Sequence, residues 1–239
     1  MVDERFEMIE LDPDLTRVTS LIIPDAKALL KSYGHTLHLR RHLKIVFGTY
    51  LIMVSNPLRD KLQELLDCNS YFYEVCADAK HHHWWHGGLN DHCCEMVGLG
   101  LDLMDLYPED YDFTQEDLIV AVLLHDFSKI WAYREIRHDE RLQYPTKYLD
   151  RQVFTGVNGW DHILDAENRT AGALMRFGVP ISDRVWSAVL FAEGGYSKCN
   201  FGYAGQPTRT GSHVNNENHL APFVHMLDLY SASILGKGL

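Results

Sequence analysis

A chain of 239 residues that is 46% hydrophobic is long enough for one sizeable core, and it is expected to fold as a single domain. Its net charge of −11 excludes a broad non-specific nucleic-acid surface, which needs clustered Lys and Arg, but leaves room for a small phosphorylated substrate in a local basic or metal-charged pocket. No run comes near the roughly 18 uninterrupted apolar residues of a membrane span, and the acidic start from Met1 to Leu11 has no signal-peptide pattern. The expectation is a cytoplasmic protein with no membrane partner.

Five cysteines (Cys68, Cys76, Cys93, Cys94 and Cys199) form no CxxC pair and read as reduced thiols packed as small hydrophobes. Fourteen histidines are many for this length, and half of them fall between His81 and His138, which directs attention to metal chemistry.

In chain order, residues 1 to 23 offer an acidic start and a short β-type run, Val18 to Ile23. Pro24-Asp25 reads as a helix start, and a basic patch (Arg40, Arg41, Lys44) precedes the apolar Ile45 to Met53. His35, His38 and His42 share a helix face and read as surface or structural residues. Pro57 to Leu66 has helical spacing at Leu58, Leu62, Leu65 and Leu66, with Pro in the first turn where its missing N–H costs little. After Lys80-His81-His82-His83-Trp84-Trp85, the pair Gly87-Gly88 permits a tight entrance into a helix from Leu89 to Leu106 that carries His92 in its first turn. Trp84, Trp85 and Tyr71 suit either base stacking or the core.

Thr114 and Asp117 form a plausible helix start ahead of Ala121-Val122-Leu123-Leu124, which ends in His125-Asp126 with Lys129 three residues on. Successive helical residues point about 100° apart, so His125 and Asp126 touch one ion only if the helix faces it squarely. Tyr133 to Gly159 reads as a long polar surface segment. Helical spacing resumes from Trp160 to Gly178, with His162 in the first turn, and again from Pro180 to Ala192. Gly194 to Asn218 reads as a flap. The last helix, Ala221 to Leu235, carries Asp228 among apolar neighbours, where a carboxylate is costly to bury unless paired or bound to a cation. With almost every periodic segment helical, the expected fold class is all-α.

His92, His125-Asp126 and Asp228 thus lie on three separate helices, and helical bundles build metal sites from such residues. This order, together with Ala79-Lys80-His81-His82-His83, Gly88-Leu89, Leu106-Tyr107-Pro108, Asp161-His162-Ile163 and His225-Met226-Leu227-Asp228, resembles the HD-domain metal-dependent phosphohydrolase superfamily. Within it the chain is most similar to the HD module of YhaM-type 3′→5′ exoribonucleases, over roughly residues 57 to 235. The resemblance implies an HD-domain helical bundle at 57–239, with residues 1–56 as a helical extension packed on the core. These 56 residues are too few and too poor in strand pattern for the OB-fold that precedes the module in those enzymes.

The resemblance also implies that His92, His125, Asp126 and Asp228 ligate one or two divalent ions (Mn, Mg, Fe, Co or Ni), with His162 supporting a second ion or the phosphate. Where the family has a paired histidine this chain reads Ala192-Glu193-Gly194-Gly195, so Glu193 stands in for one of them. The implied reaction is hydrolysis of a phosphoester in a nucleotide or short oligonucleotide by metal-activated water. Asp126 and Lys129 would be catalytic, Lys129 neutralising charge or holding Asp126, or else only balancing a helix end. Lys80, His82 and His83 would line the entrance and contact substrate. Two other readings compete: a di-iron HD-type oxygenase, and a catalytically silent HD nucleotide-binding or regulatory module. A homo-oligomer is compatible with all three.

Overall fold

The computed structural model describes residues 47–108, 111–144, 146–149, 151–157, 166–192 and 219–236. Among them the chain is mostly helical: α1 Asn56–Cys68, α2 Gly88–Leu106, α3 Gln115–His125, α4 Lys129–Ala132, α5 His138–Gln143, α6 Ala166–Phe177, α7 Asp183–Phe191 and α8 Leu220–Tyr230. Short 3₁₀ segments lie at Phe47–Met53 and Ser70–Tyr73, and a π-helical turn, Ser231–Leu235, continues α8. No described helix is long and apolar enough to cross a membrane.

Local chemistry sets the helix ends. Pro57 stands in the first turn of α1, and its buried side is the Leu62, Leu65 and Leu66 row expected from the spacing. Thr114 and Asp117 make a full capping box on α3: Thr114 Oγ1 accepts from the Asp117 N–H, and the Asp117 carboxylate accepts from the Thr114 N–H at 3.0 Å. Ser182 caps α7 by accepting from Val185 N–H at 3.2 Å.

Helix α3 is the axis of the molecule. Every residue from Leu118 to Leu124 is buried, as an apolar run without a polar face requires. It packs against α2 and α7, and α8 packs against α7 and α2. The close approach of α2, α3 and α8 depends on Gly100, where a Cβ would meet Leu118 Cδ2 at 2.7 Å and Leu227 Cδ1 at 3.0 Å. His92 lies eight residues before Gly100 on α2 (about 12 Å along the axis), so this pinch point sets where the functional end of the bundle converges. Ser55 ties the start of α1 to α3, its N–H donating to Glu116 Oε2 at 2.6 Å.

Two expectations change. The segment from Tyr133 onward is not purely irregular: β1 Tyr133–Glu135 pairs antiparallel with β2 Phe154–Gly156, Arg134 opposite Thr155, and the intervening chain forms α5. Phe154 is fully buried, so one apolar anchor pulls a polar segment onto the core. The last helix does not run uniformly to Leu235 but widens into the π turn after Tyr230. Of the expected extension 1–56, the described part begins at Phe47, which is buried with Tyr50 and Leu51 in the same core as the rest. The N-terminal strand and helix, His35, His38, His42, and the expected flap lie outside the described residues.

Candidate metal centre

Three helices deliver the site. His92 comes from the first turn of α2, His125 is the last residue of α3, and Asp228 sits near the end of α8. Helix α3 stops at His125, and Asp126 takes a non-helical φ of −115° and ψ of 9°. That break resolves the geometric problem of two adjacent ligands, because Asp126 no longer has to point 100° away from His125.

The convergence is tight. His92 Nε2 lies 3.2 Å from Asp228 Oδ1 and 3.7 Å from Asp126 Oδ2, and His125 Nε2 lies 3.3 Å from the same Asp126 oxygen. Ligand atoms held about 2.1 Å from one ion stand roughly 3.0–3.5 Å from each other, so these spacings fit a shared cation. His92 Nε2 and His125 Nε2 are both buried and make no aligned hydrogen bond, despite the nearby carboxylates. A buried polar atom without a partner costs on the order of 1–3 kcal/mol, and two facing one point are a specific arrangement.

The opposite ring nitrogens fix which tautomers are present. His125 Nδ1 lies 2.7 Å from the Val122 carbonyl, which only accepts, so Nδ1 carries the proton. His92 Nδ1 lies 3.0 Å from Ser231 Oγ. That hydroxyl donates to Glu95 Oε2 at 2.7 Å and therefore accepts from His92. In its neutral form each histidine therefore presents a bare Nε2 lone pair, as metal-binding imidazoles do when their other nitrogen donates to an outer partner. The converging donors, two imidazoles and the Asp126 carboxylate, suit a borderline or hard divalent ion, with Asp228 beside them at 3.2 Å from His92 Nε2.

Charge is arranged to match. Burial pushes the His92 imidazole down to about 4, so it is neutral at physiological pH. Burial also opposes charge on His125, but the Asp126 and Asp228 carboxylates outweigh it and raise its pKa. Burial would raise the Asp126 carboxyl, yet the Lys129 ammonium and His125 hold it well below the usual range. Lys129 Nζ donates to Asp126 Oδ2 at 2.5 Å, and against the cost of burial that carboxylate raises the lysine pKa. Asp228 is likewise lowered despite burial, chiefly by His92. Both carboxylates are thus ionised and ready to bind a cation.

The remaining expected site residues separate. Lys80 is exposed. His82 is half-buried, and burial, with the Lys129 charge, depresses its pKa to about 3. His83 is fully buried, with Nε2 2.9 Å from Glu95 Oε2 and Nδ1 3.2 Å from His82 Nδ1. It is therefore away from solvent, with both ring nitrogens engaged within the protein. Trp85 packs at 5.1 Å from the His83 ring and donates to Asp91, and Arg151 lies over the Trp84 ring, so neither indole stands clear as a stacking platform. Tyr71 is half-buried against the core. His162 and Glu193 lie outside the described residues.

Two contributors carry no mark in the sequence pattern used above. Glu95 is 1% exposed and Ser231 is 1% exposed, and they stand behind the His83 and His92 rings. Glu95 follows Cys93-Cys94 and precedes Met96-Val97, so the rule applied to Asp228, a carboxylate among apolar residues, would have found it. Ser231 carries no such signal; the π turn brings it inward. One ring nitrogen each from His82, His83 and His92, and the ligand atoms of His92, His125 and Asp126, form two groups whose members lie within 4.8 Å of one another. His92 is common to both.

Compared with known proteins, the chain matches no family model, no curated protein and no solved structure.

Proposed function

We propose that this chain is a metal-dependent phosphohydrolase of the HD-domain kind, acting on phosphoester bonds of nucleotides or short oligonucleotides. The observation that carries the reading is the pair of buried, bare Nε2 atoms of His92 and His125 set between the ionised carboxylates of Asp126 and Asp228. His92, His125, Asp126 and Asp228 would hold one ion, with His162 and Glu193 as the candidates for a second. A divalent cation there supplies Lewis-acid polarisation of a phosphoryl oxygen and lowers the pKa of a water molecule.

The chain's own residues do the rest. The Val122 carbonyl and Ser231 lock the two imidazoles in the ligating tautomer, so little reorganisation is needed on binding. Lys129 holds Asp126 in place, and its side chain, 23% exposed, is long enough to swing towards a phosphoryl oxygen and neutralise charge building there. The net charge of −11 favours a small anionic substrate over a long nucleic acid, and the exposed Lys80 offers one positive charge on an otherwise acidic chain.

The test pairs metal analysis of the purified protein with a hydrolysis screen over nucleotides and short oligonucleotides in Mg, Mn, Co and Ni. Metal-dependent release of phosphate or nucleotide, lost in Asp126→Ala, is expected. Bound iron with an oxygen-dependent spectrum and no hydrolysis would move the assignment to an oxygenase, and neither metal nor turnover would make the chain a binding module.

A further inference from the structure

We infer that His82 is a further ligand of the same ion, and that Glu95, acting through His83, is the residue that positions it. The inference rests on the metal-site reading above. The backbone beside His82 is strained. His83 is the one described non-glycine residue with positive φ, 44°, a conformation that costs on the order of 1 kcal/mol or more and persists only where its surroundings impose it. Here they do. The His83 N–H donates to the Gly236 carbonyl at 2.9 Å, and its own carbonyl accepts from Ala77 N–H at 3.1 Å. A Cβ on Gly88 would sit 1.9 Å from the His83 carbonyl oxygen, and one on Gly236 would sit 2.3 Å from the His83 ring. The turn is clamped between the start of α2 and the end of the π turn.

The clamp orients a chain of hydrogen bonds. His83 Nε2 faces a carboxylate oxygen, Glu95 Oε2, which only accepts, so Nε2 carries a proton. His83 Nδ1 and His82 Nδ1, 3.2 Å apart, share a second proton. A cation bound beside His92 would favour that proton on His82 Nδ1, because the alternative adds a positive charge to His83 next to it. His82 then offers Nε2 as a bare lone pair. Its ring centre lies 5.5 Å from that of His92, and Asp126 and Lys129 are both within electrostatic reach of it.

His83, with both nitrogens engaged, is a relay and not a ligand. The same Glu95 oxygen also accepts from Ser231, which fixes His92. One carboxylate oxygen therefore sets the direction of two ligands, and His92 is the residue that the two 4.8 Å groups have in common.

The test uses the full-length protein and Co²⁺ alone, with three readouts: the Co²⁺ dissociation constant, the visible d–d spectrum, which reports coordination number, and the ring ¹⁵N tautomers by long-range ¹H–¹⁵N NMR. His82→Ala and Glu95→Gln should each weaken Co²⁺ by about 10–100-fold. His82→Ala should also change the intensity of the d–d bands, and the unmutated protein should show His82 as Nδ1–H and His83 as Nε2–H. Should Glu95→Gln fail to fold, those tautomers alone decide its part. Unchanged Co²⁺ affinity and spectrum in His82→Ala, or His82 found as Nε2–H, overturns the inference while leaving the four-ligand site intact. If the unmutated protein binds no better than His92→Ala, the metal reading itself has failed.

Discussion

His92 and His125 ride on helices, whereas His82 and His83 sit in a turn, and the two pairs are brought to the same place by different means. For the first pair, regular backbone does the aiming: α2 and α3 are fixed by long apolar faces, and each ring needs only one outer hydrogen bond to lock its tautomer. For the second pair, no regular element restrains the chain. Two glycines, a left-handed residue and a buried carboxylate replace it. Helix-borne groups tolerate local change because the whole element must move for the ligand to move. Turn-borne groups depend on single close contacts.

Asp126→Ala removes the carboxylate that lies between both helix-borne imidazoles, and it should cost about 10³-fold or more in turnover together with the bound metal. Circular dichroism should still report a largely helical protein. Retained wild-type hydrolysis would sink the assignment of the site.

Gly88→Ala attacks the turn instead. The added methyl meets backbone, not a flexible side chain, so the His82–His83 turn or the start of α2 must shift. The expected loss is about 1–3 kcal/mol in urea unfolding, exceeding the modest gain in helix propensity, with weakened metal affinity. A variant as stable as the parent would show that the turn is not clamped as described.

The pH dependence separates the two imidazoles of the helix-borne pair. His92 is already neutral at pH 7, but His125 has a pKa above its ordinary value of 6.5 and must lose its proton to bind metal. Below that raised pKa, affinity should rise about tenfold per pH unit, a slope of one proton and not two. In the metal-free protein the sign is opposite. A raised folded pKa contributes stability that is fully present below 6.5 and is lost as pH rises through the folded value. Calorimetry of metal binding and thermal unfolding of the metal-free protein between pH 6 and 8.5 would check both trends.

Thr114→Ala is the smallest and serves as the control. It removes the capping box at the far end of α3 and should cost about 1 kcal/mol of stability. His125, at the opposite end of the same helix, should bind metal as before. A large loss of metal affinity in this variant would mean that α3 transmits end fraying to the site, against the rigidity assigned to helix-borne ligands.

The sequence by itself determined the helical class, and it put the helix-borne candidates His92, His125-Asp126 and Asp228 on three helices, because both are written in local pattern. The apolar run before His125 forces burial of α3, the capping box at Thr114 marks its start, and Asp228 among apolar neighbours demands a partner. Only the tertiary structure decided the rest. That α3 ends between His125 and Asp126, letting both face one point, depends on where the helix meets its neighbours. That Ser231 and Glu95 meet 136 residues apart depends on the π turn. That a triple histidine becomes one half-buried ring, one buried relay and one exposed residue depends on Gly236 reaching back across the chain. Such contacts join residues distant in sequence, and no local periodicity encodes them.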